Sequence, residues 1–149
     1  TRMGRIIQIG ITKLKHDPIE IVNTIEVVAG KGIKGDRKFH DKNTKDQQLT
    51  LIEKENIDSY NKKYNSKFSY LDFRRNLITK NIELNELVNK TFFIAKIKLK
   101  GIDLCRPCIE LEKKLGAQNY LKEFLRRGGL RCEILNSGTI KVGDEISIL

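Results

Sequence analysis

The chain of 149 residues has no tryptophan, one methionine, two prolines and three cysteines. Three is an odd number, which excludes a fully paired disulfide framework, so the thiols are expected to be reduced. No run approaches the ~18 consecutive apolar residues of a membrane helix, and the first residues lack the apolar block of a secretory leader. A cytoplasmic protein without membrane contact is the expectation, with Met3 read as a natural start behind Thr1 and Arg2. No repeat, low-complexity block or linker divides the chain. It reads as one domain over residues 1–149, large enough to bury roughly 68–70% of its unfolded surface. Aromatic residues make up only 7%. Their scarcity weakens the case for a nucleic-acid module, which stacks bases on interleaved rings; only YLDFRR alternates rings with arginine.

Positive charge is what the sequence has in excess. Lysine and arginine total 29 against 19 acids, a net of +10, which favours an anionic partner. Arginine can grip phosphate or carboxylate with a planar fork, whereas lysine acts as a hydrated point charge. Seven of the nine arginines (Arg37, Arg74, Arg75, Arg106, Arg126, Arg127, Arg131) fall in four short segments, GIKGDR, FRRN, CRPC and RRGGLR, while the lysines are scattered.

The β-branched segments RIIQIGIT (5–12), NTIEVVA (23–29), LTLIE (49–53) and RRNLIT (74–79) read as strands. TFFIAKIKLKGI (91–102) reads as one long strand leading into the cysteines, and LRCEIL (130–135) and GTIKVGDEISIL (138–149) as two more, with NSG and GD as turns. Residues 53–65 predict an exposed helix, and CIELEKKLG and AQNYLKEFLRR two short ones, each stopped by glycine. Residues 30–46 form a long polar loop of the kind that carries function. Six or more strands with a few short helices predict a mainly β domain, a barrel.

Within GIDLCRPCIELEKKLG (101–116), Pro107 at the first helical position would set Cys108 in the first turn, where unpaired N–H groups and Arg106 favour a thiolate. Spacing with Leu111 and Leu115 turns that thiol toward the packed side of the helix. Several readings stay open. Cys108 could be a small core hydrophobe. A thioredoxin-like site matches the local order, but no proline follows Pro107 to supply that fold's cis-proline. A structural zinc site could draw on Cys105, Cys108 and Cys132 with His40 or His16, although the paired CxxC spacing is absent.

Taken in order, GIKGDRKFH, DFRRNLIT, LCRPCIELEK and RRGGLRCEILNSGTIKVGDEI resemble the successive signatures of the MOSC domain, named for the C-terminal domain of molybdenum cofactor sulfurase. The resemblance runs from about residue 5 to the end. It implies a β-barrel with short helices, and binding of the molybdenum cofactor or transfer of sulfur. The cysteine matching Cys108 is the metal ligand or sulfur carrier in relatives. A cofactor with a phosphate and a dithiolene calls for fixed positive charge, backbone donors and one soft ligand. The resemblance assigns these to Gly35, Asp36 and Arg37, with His40 in reach, to Arg74 and Asn76, which match the FRPN signature of amidoxime-reducing relatives, and to Arg106, Gly129 and Arg131. Arg75 stands where that signature has proline.

The expected activity is reduction of N-hydroxylated or N-oxygenated compounds at a Cys108-ligated molybdenum. With no iron–sulfur or flavin motif, it would need an external electron donor. The alternative is sulfur transfer through a Cys108 persulfide charged by a cysteine desulfurase. A non-catalytic basic nucleic-acid module ranks behind both.

Overall fold

A computed structural model describes residues 3–148, so Thr1, Arg2 and the last residue of the expected final strand lie outside the described residues. Eleven strands run in the order β1 (Gly4–Ile11), β2 (Glu20–Val22), β3 (Thr24–Val28), β4 (Gly32–Ile33), β5 (Leu49–Glu53), β6 (Leu77–Lys80), β7 (Thr91–Ile94), β8 (Ile97–Leu104), β9 (Leu130–Ile134), β10 (Gly138–Lys141) and β11 (Glu145–Ile148). Helix α1 (Lys54–Tyr64) follows β5, and α2 (Ile109–Leu115) and α3 (Tyr120–Glu123) lie between β8 and β9. Neighbours in the main sheet run β11-β7-β8-β9-β5-β6-β1, and pairing of β11 with β1 closes it into a seven-stranded barrel. The expected mainly β barrel is present. Strand β2 extends it beside β1, and β3, β4 and β10 form a small second sheet.

Period-two alternation decides what each strand buries. Leu49 and Leu51 of β5 and Leu130 and Cys132 of β9 fill the barrel, as do Ile6 and Ile9 of β1, which an irregularity between Ile6 and Gln8 brings to one face. Ile52 and Ile78 face the other way and join a second core with Ile57, Tyr60, Phe73, Leu111, Tyr120 and Phe124. That core is an aromatic layer, with Phe73 stacked on Tyr120 at 5.6 Å between ring centroids. Strands β5 and β6 are parallel, a pairing that needs a crossover, and α1 supplies it.

Three expectations are corrected. The single strand over 91–102 is a hairpin, β7 to β8, turning at Ala95, whose φ is +50°. Tight hairpin turns require positive φ and usually advertise it with Asn-Gly; Ala-Lys gives no such signal, so the alternation looked unbroken. The strand expected at 74–79 begins only at Leu77, because Arg74 adopts a left-handed conformation closing the one-turn helix Tyr70–Phe73. The helix expected over AQNYLKEFLRR shrinks to Tyr120–Glu123, with turns carrying the chain from there back to β9.

Candidate functional site

The long loop after β4 is tied to the end of β1. Asp36 accepts hydrogen bonds from the backbone N–H groups of Thr12 (2.9 Å) and Lys38 (3.2 Å), and the Arg37 N–H donates to the Thr12 carbonyl (2.7 Å). Gly35, at φ +85°, makes the turn that brings Asp36 there. Asn76 locks β5 to β1: its Nδ2 donates to the Gly10 carbonyl (3.1 Å), while its Oδ1 accepts from the Thr50 N–H and hydroxyl (3.2 Å each). Arg74 donates to the Asp17 carbonyl (2.9 Å), and Arg75 Nε to the Gly128 carbonyl (2.8 Å). These fastenings hold one set of side chains around a concavity where the outer face of the barrel meets α2.

The resulting cavity, about 400 Å³, is lined by Thr12, Lys15, His16, Asp36, Arg37, Lys38, Thr50, Arg74, Arg75, Asn76, Cys108, Glu110, Leu111 and Lys114. Six of these are lysine or arginine and two are acids. Among the described residues, none of the six cations sits within ion-pair distance of a carboxylate. One of the two acids, Asp36, already spends both oxygens on backbone donors. Burial, and then the adjacent charges of Arg37 and Arg75, lower the pKa of half-buried Lys38. Unpaired cations forced together in a partly desolvated hollow favour an anion.

Of the residues singled out from sequence, Asp36, Arg37, Arg74, Asn76 and Cys108 come together here. Cys108 corrects one expectation, however. It is the residue before α2 rather than part of its first turn, and it is exposed, with extended backbone and no side-chain cap bond. The packed face of α2 belongs to Leu111.

Cys105 is the buried member of the pair, its N–H donating to the Gly129 carbonyl (2.8 Å). Burial raises its thiol pKa, partly opposed by the charges of Arg75, Arg131 and Lys38. Cys132 lies inside the barrel, where burial pushes its pKa well up. Among the described residues no group of three or more His, Cys, Asp or Glu side chains could hold a metal ion, which removes the four-ligand zinc arrangement.

Other predicted residues fall outside the lining. Arg131 forms a two-pronged bond to Asp103, with Nε to Oδ1 at 2.6 Å and Nη2 to Oδ2; it also lies 3.7 Å from Asp46. Its cross-strand partner in the β8–β9 register is Asp103, so the arginine is consumed by the sheet. Gly129 has φ +109°, and a Cβ there would come within 2.1 Å of the Leu51 carbonyl oxygen; its close approach is to β5. The exposed imidazole of His40 accepts from the Lys42 N–H (3.1 Å) within its own turn. Arg106 is exposed, and Gly35 shapes the loop from behind.

The MOSC domain model matches residues 36–147. The chain belongs to the MOSC domain family. Among solved structures, this MOSC domain superposes on the YuaD protein from Bacillus subtilis with a TM-score of 0.81 at 17% identity, covering 97% of this chain and 94% of that one. It superposes on YiiM from Geobacillus stearothermophilus at 0.78 and 15% identity, covering 98% and 75%, and on YiiM from Escherichia coli at 0.75 and 14%, covering 99% and 70%. At these identities the likeness is one of fold. No curated protein sequence matches.

The residues of the cavity that sequence reasoning did not assign to it fall into three kinds. Lys38 and Arg75 stand next to Arg37 and Arg74 inside the MOSC signatures, and Glu110 and Lys114 follow Cys108 on α2, so proximity was an available signal for both. Thr12, Lys15 and His16 come from the segment just beyond β1 and Thr50 from β5, and only the closure of the barrel brings them to the cavity.

Proposed function

We propose that this MOSC domain binds an anionic molybdenum–pterin cofactor in the cavity, with Cys108 as the thiolate ligand, and reduces N-hydroxylated compounds there. The observation that carries the reading is the meeting of six cations, none within ion-pair distance of a carboxylate among the described residues, and one exposed thiol around a single hollow of about 400 Å³. The volume falls in the ordinary range for small-molecule and cofactor sites.

The donor set fits the group. Arg37, Lys38 and Arg75 would meet a phosphate, Arg75 with the Nη groups left over from its bond to Gly128. Asn76 and Thr50, held by each other, offer fixed polar edges to a pterin. Cys108 is the soft anionic ligand that molybdenum prefers to carboxylate or water. When bound, the metal would supply the two-electron chemistry; the residues supply charge balance, orientation and a partly dry pocket. His16 and Glu110, both in the lining, would move protons at its mouth.

A second reading rests on the exposure of Cys108. Its thiolate could attack the sulfane sulfur of a desulfurase persulfide, forming Cys108–S–SH and releasing the desulfurase thiolate. Three free thiols suit a reducing, cytoplasmic setting for either chemistry. Metal analysis of protein from a host that makes the cofactor tests the first reading: about one molybdenum per chain, lost in Cys108→Ser and kept in Cys105→Ser. Protein free of molybdenum that gains one sulfur's mass on Cys108 from a desulfurase and cysteine would favour the second.

A further inference from the structure

The mouth of the cavity carries features that cofactor binding leaves unused. Leu14 is 67% exposed and Ile109 is 53% exposed. Each stands beside the lining: Leu14 precedes Lys15 and His16 in the loop after β1, and Ile109 follows Cys108 at the start of α2. Lys15 and Lys114 of the lining and the neighbouring Arg106 are exposed too, and none has a carboxylate partner among the described residues. An anion held by half-buried Lys38 and Arg75 would leave this outer ring of charge unspent.

Breaking one N–O bond consumes two electrons and two protons: R–NH–OH + 2e⁻ + 2H⁺ gives R–NH₂ + H₂O. Side chains are not a net source of two electrons at every turnover, so a carrier from outside this chain must deliver them. A few apolar side chains ringed by charge suit a small, fast, electrostatically steered encounter. Lys15, Lys114 and Arg106 outnumber Glu110, the exposed acid of the lining, so the net uncompensated charge is positive and the complementary carrier is negative.

We propose that this rim is the landing surface for an acidic electron-carrier protein, which seats Leu14 and Ile109 against the apolar surroundings of its redox group and meets Lys15, Lys114 and Arg106 with carboxylates. The proposal rests on the reductase reading. A flavodoxin, an acidic flavin protein, is the probe. With molybdenum-loaded protein and an N-hydroxylated base, turnover driven by reduced flavodoxin should fall at least tenfold in the double variant Leu14→Asp/Ile109→Asp and decline steeply with salt. Turnover driven by reduced methyl viologen should not change.

Equal flavodoxin-driven rates in variant and parent overturn the proposal, as does an equal loss with viologen. Amide shift mapping of the isotope-labelled protein reads the surface without turnover. Flavodoxin should perturb residues 13–16 and 106–110, and perturbation confined to another face overturns the docking site. Absence of viologen-driven turnover in the parent is a different failure: it removes the reductase reading, and the proposal with it.

Discussion

Strand β9 and the wall of the cavity make opposite use of the same residue types. On β9, Arg131 is held by Asp103 and approached by Asp46, and Gly129, just ahead of the strand, exists so that β5 can come close. A few ångströms of sheet away, beyond Thr50, which pairs with Arg131 across β5 and β9, the cavity gathers Arg37, Lys38 and Arg75 with no carboxylate within ion-pair distance among the described residues. Net charge cannot separate the two regions, because an arginine counts the same in both. The carboxylate opposite it decides whether the charge is spent on the fold or kept for a ligand.

The hardest test of that contrast is Gly129→Ala. Positive φ and a Cβ within 2.1 Å of the Leu51 carbonyl oxygen leave no room without moving a barrel strand, so a loss of at least ~3 kcal/mol in denaturant unfolding is expected. Gly35 also has positive φ, but its nearest neighbour would be Ile11 Cδ1 at 3.9 Å, and Gly35→Ala should cost only about 1 kcal/mol. Equal losses would mean that Gly129 is not the structural glycine. The two cysteines divide the same way. Cys105→Ser buries a hydroxyl where a thiol was and should cost about 2 kcal/mol while molybdenum is retained, whereas the exposed Cys108→Ser should leave the unfolding midpoint within error.

Much of this was legible in the sequence, and the limits have physical causes. Alternating β-branched strands fixed the barrel, and the Asp-Arg, Arg-x-Asn and Cys-x-x-Cys signatures named five residues that do line one cavity. Arg131 was indistinguishable from Arg37 because its partner, Asp103, becomes its neighbour only through the β8–β9 register. That register includes an irregularity between Gly101 and Asp103, which no period-two count anticipates. Cys108 was expected to share the packed face of α2 with Leu111, but the helix starts at Ile109, two residues beyond Pro107, and the thiol is left outside it.

A substitution pair puts the charge argument in numbers. Arg37→Ala should weaken binding of the anionic cofactor by ~1.5–3 kcal/mol, the range for a hydrogen bond to a charged group, and leave stability nearly unchanged because Arg37 is exposed and in no described ion pair. Arg131→Ala should do the reverse. It should cost about 1 kcal/mol of stability, since both partners are partly solvated, and leave affinity unaltered. Calorimetric titration and urea unfolding of the two variants measure both axes. If Arg131→Ala weakens binding as much as Arg37→Ala, β9 belongs to the site after all.

The smallest expected effect lies at the far end of β5, where the chain changes from basic to acidic surroundings. Three residues after Thr50, Glu53 is partly buried near Glu55 and Glu83. Burial first, and then repulsion from Glu55, pushes its pKa up to about 7, opposed by hydrogen bonds from the Leu84 backbone and Asn56. An acid whose folded pKa exceeds its unfolded one binds its proton more tightly when folded. Its stabilising contribution is therefore complete below the unfolded value near 4.5 and is lost as pH rises through about 7. Partial exposure screens the effect, so a change of about 1 kcal/mol is expected between those limits. Glu53→Gln removes the titration: its urea midpoint should gain on that of the parent as pH rises from 4 to 8, with cofactor affinity equal in both. A parent whose stability relative to Glu53→Gln stays level across that range would mean that Glu53 is solvated like any surface carboxylate, leaving the cavity as the one place where β5 meets unbalanced charge.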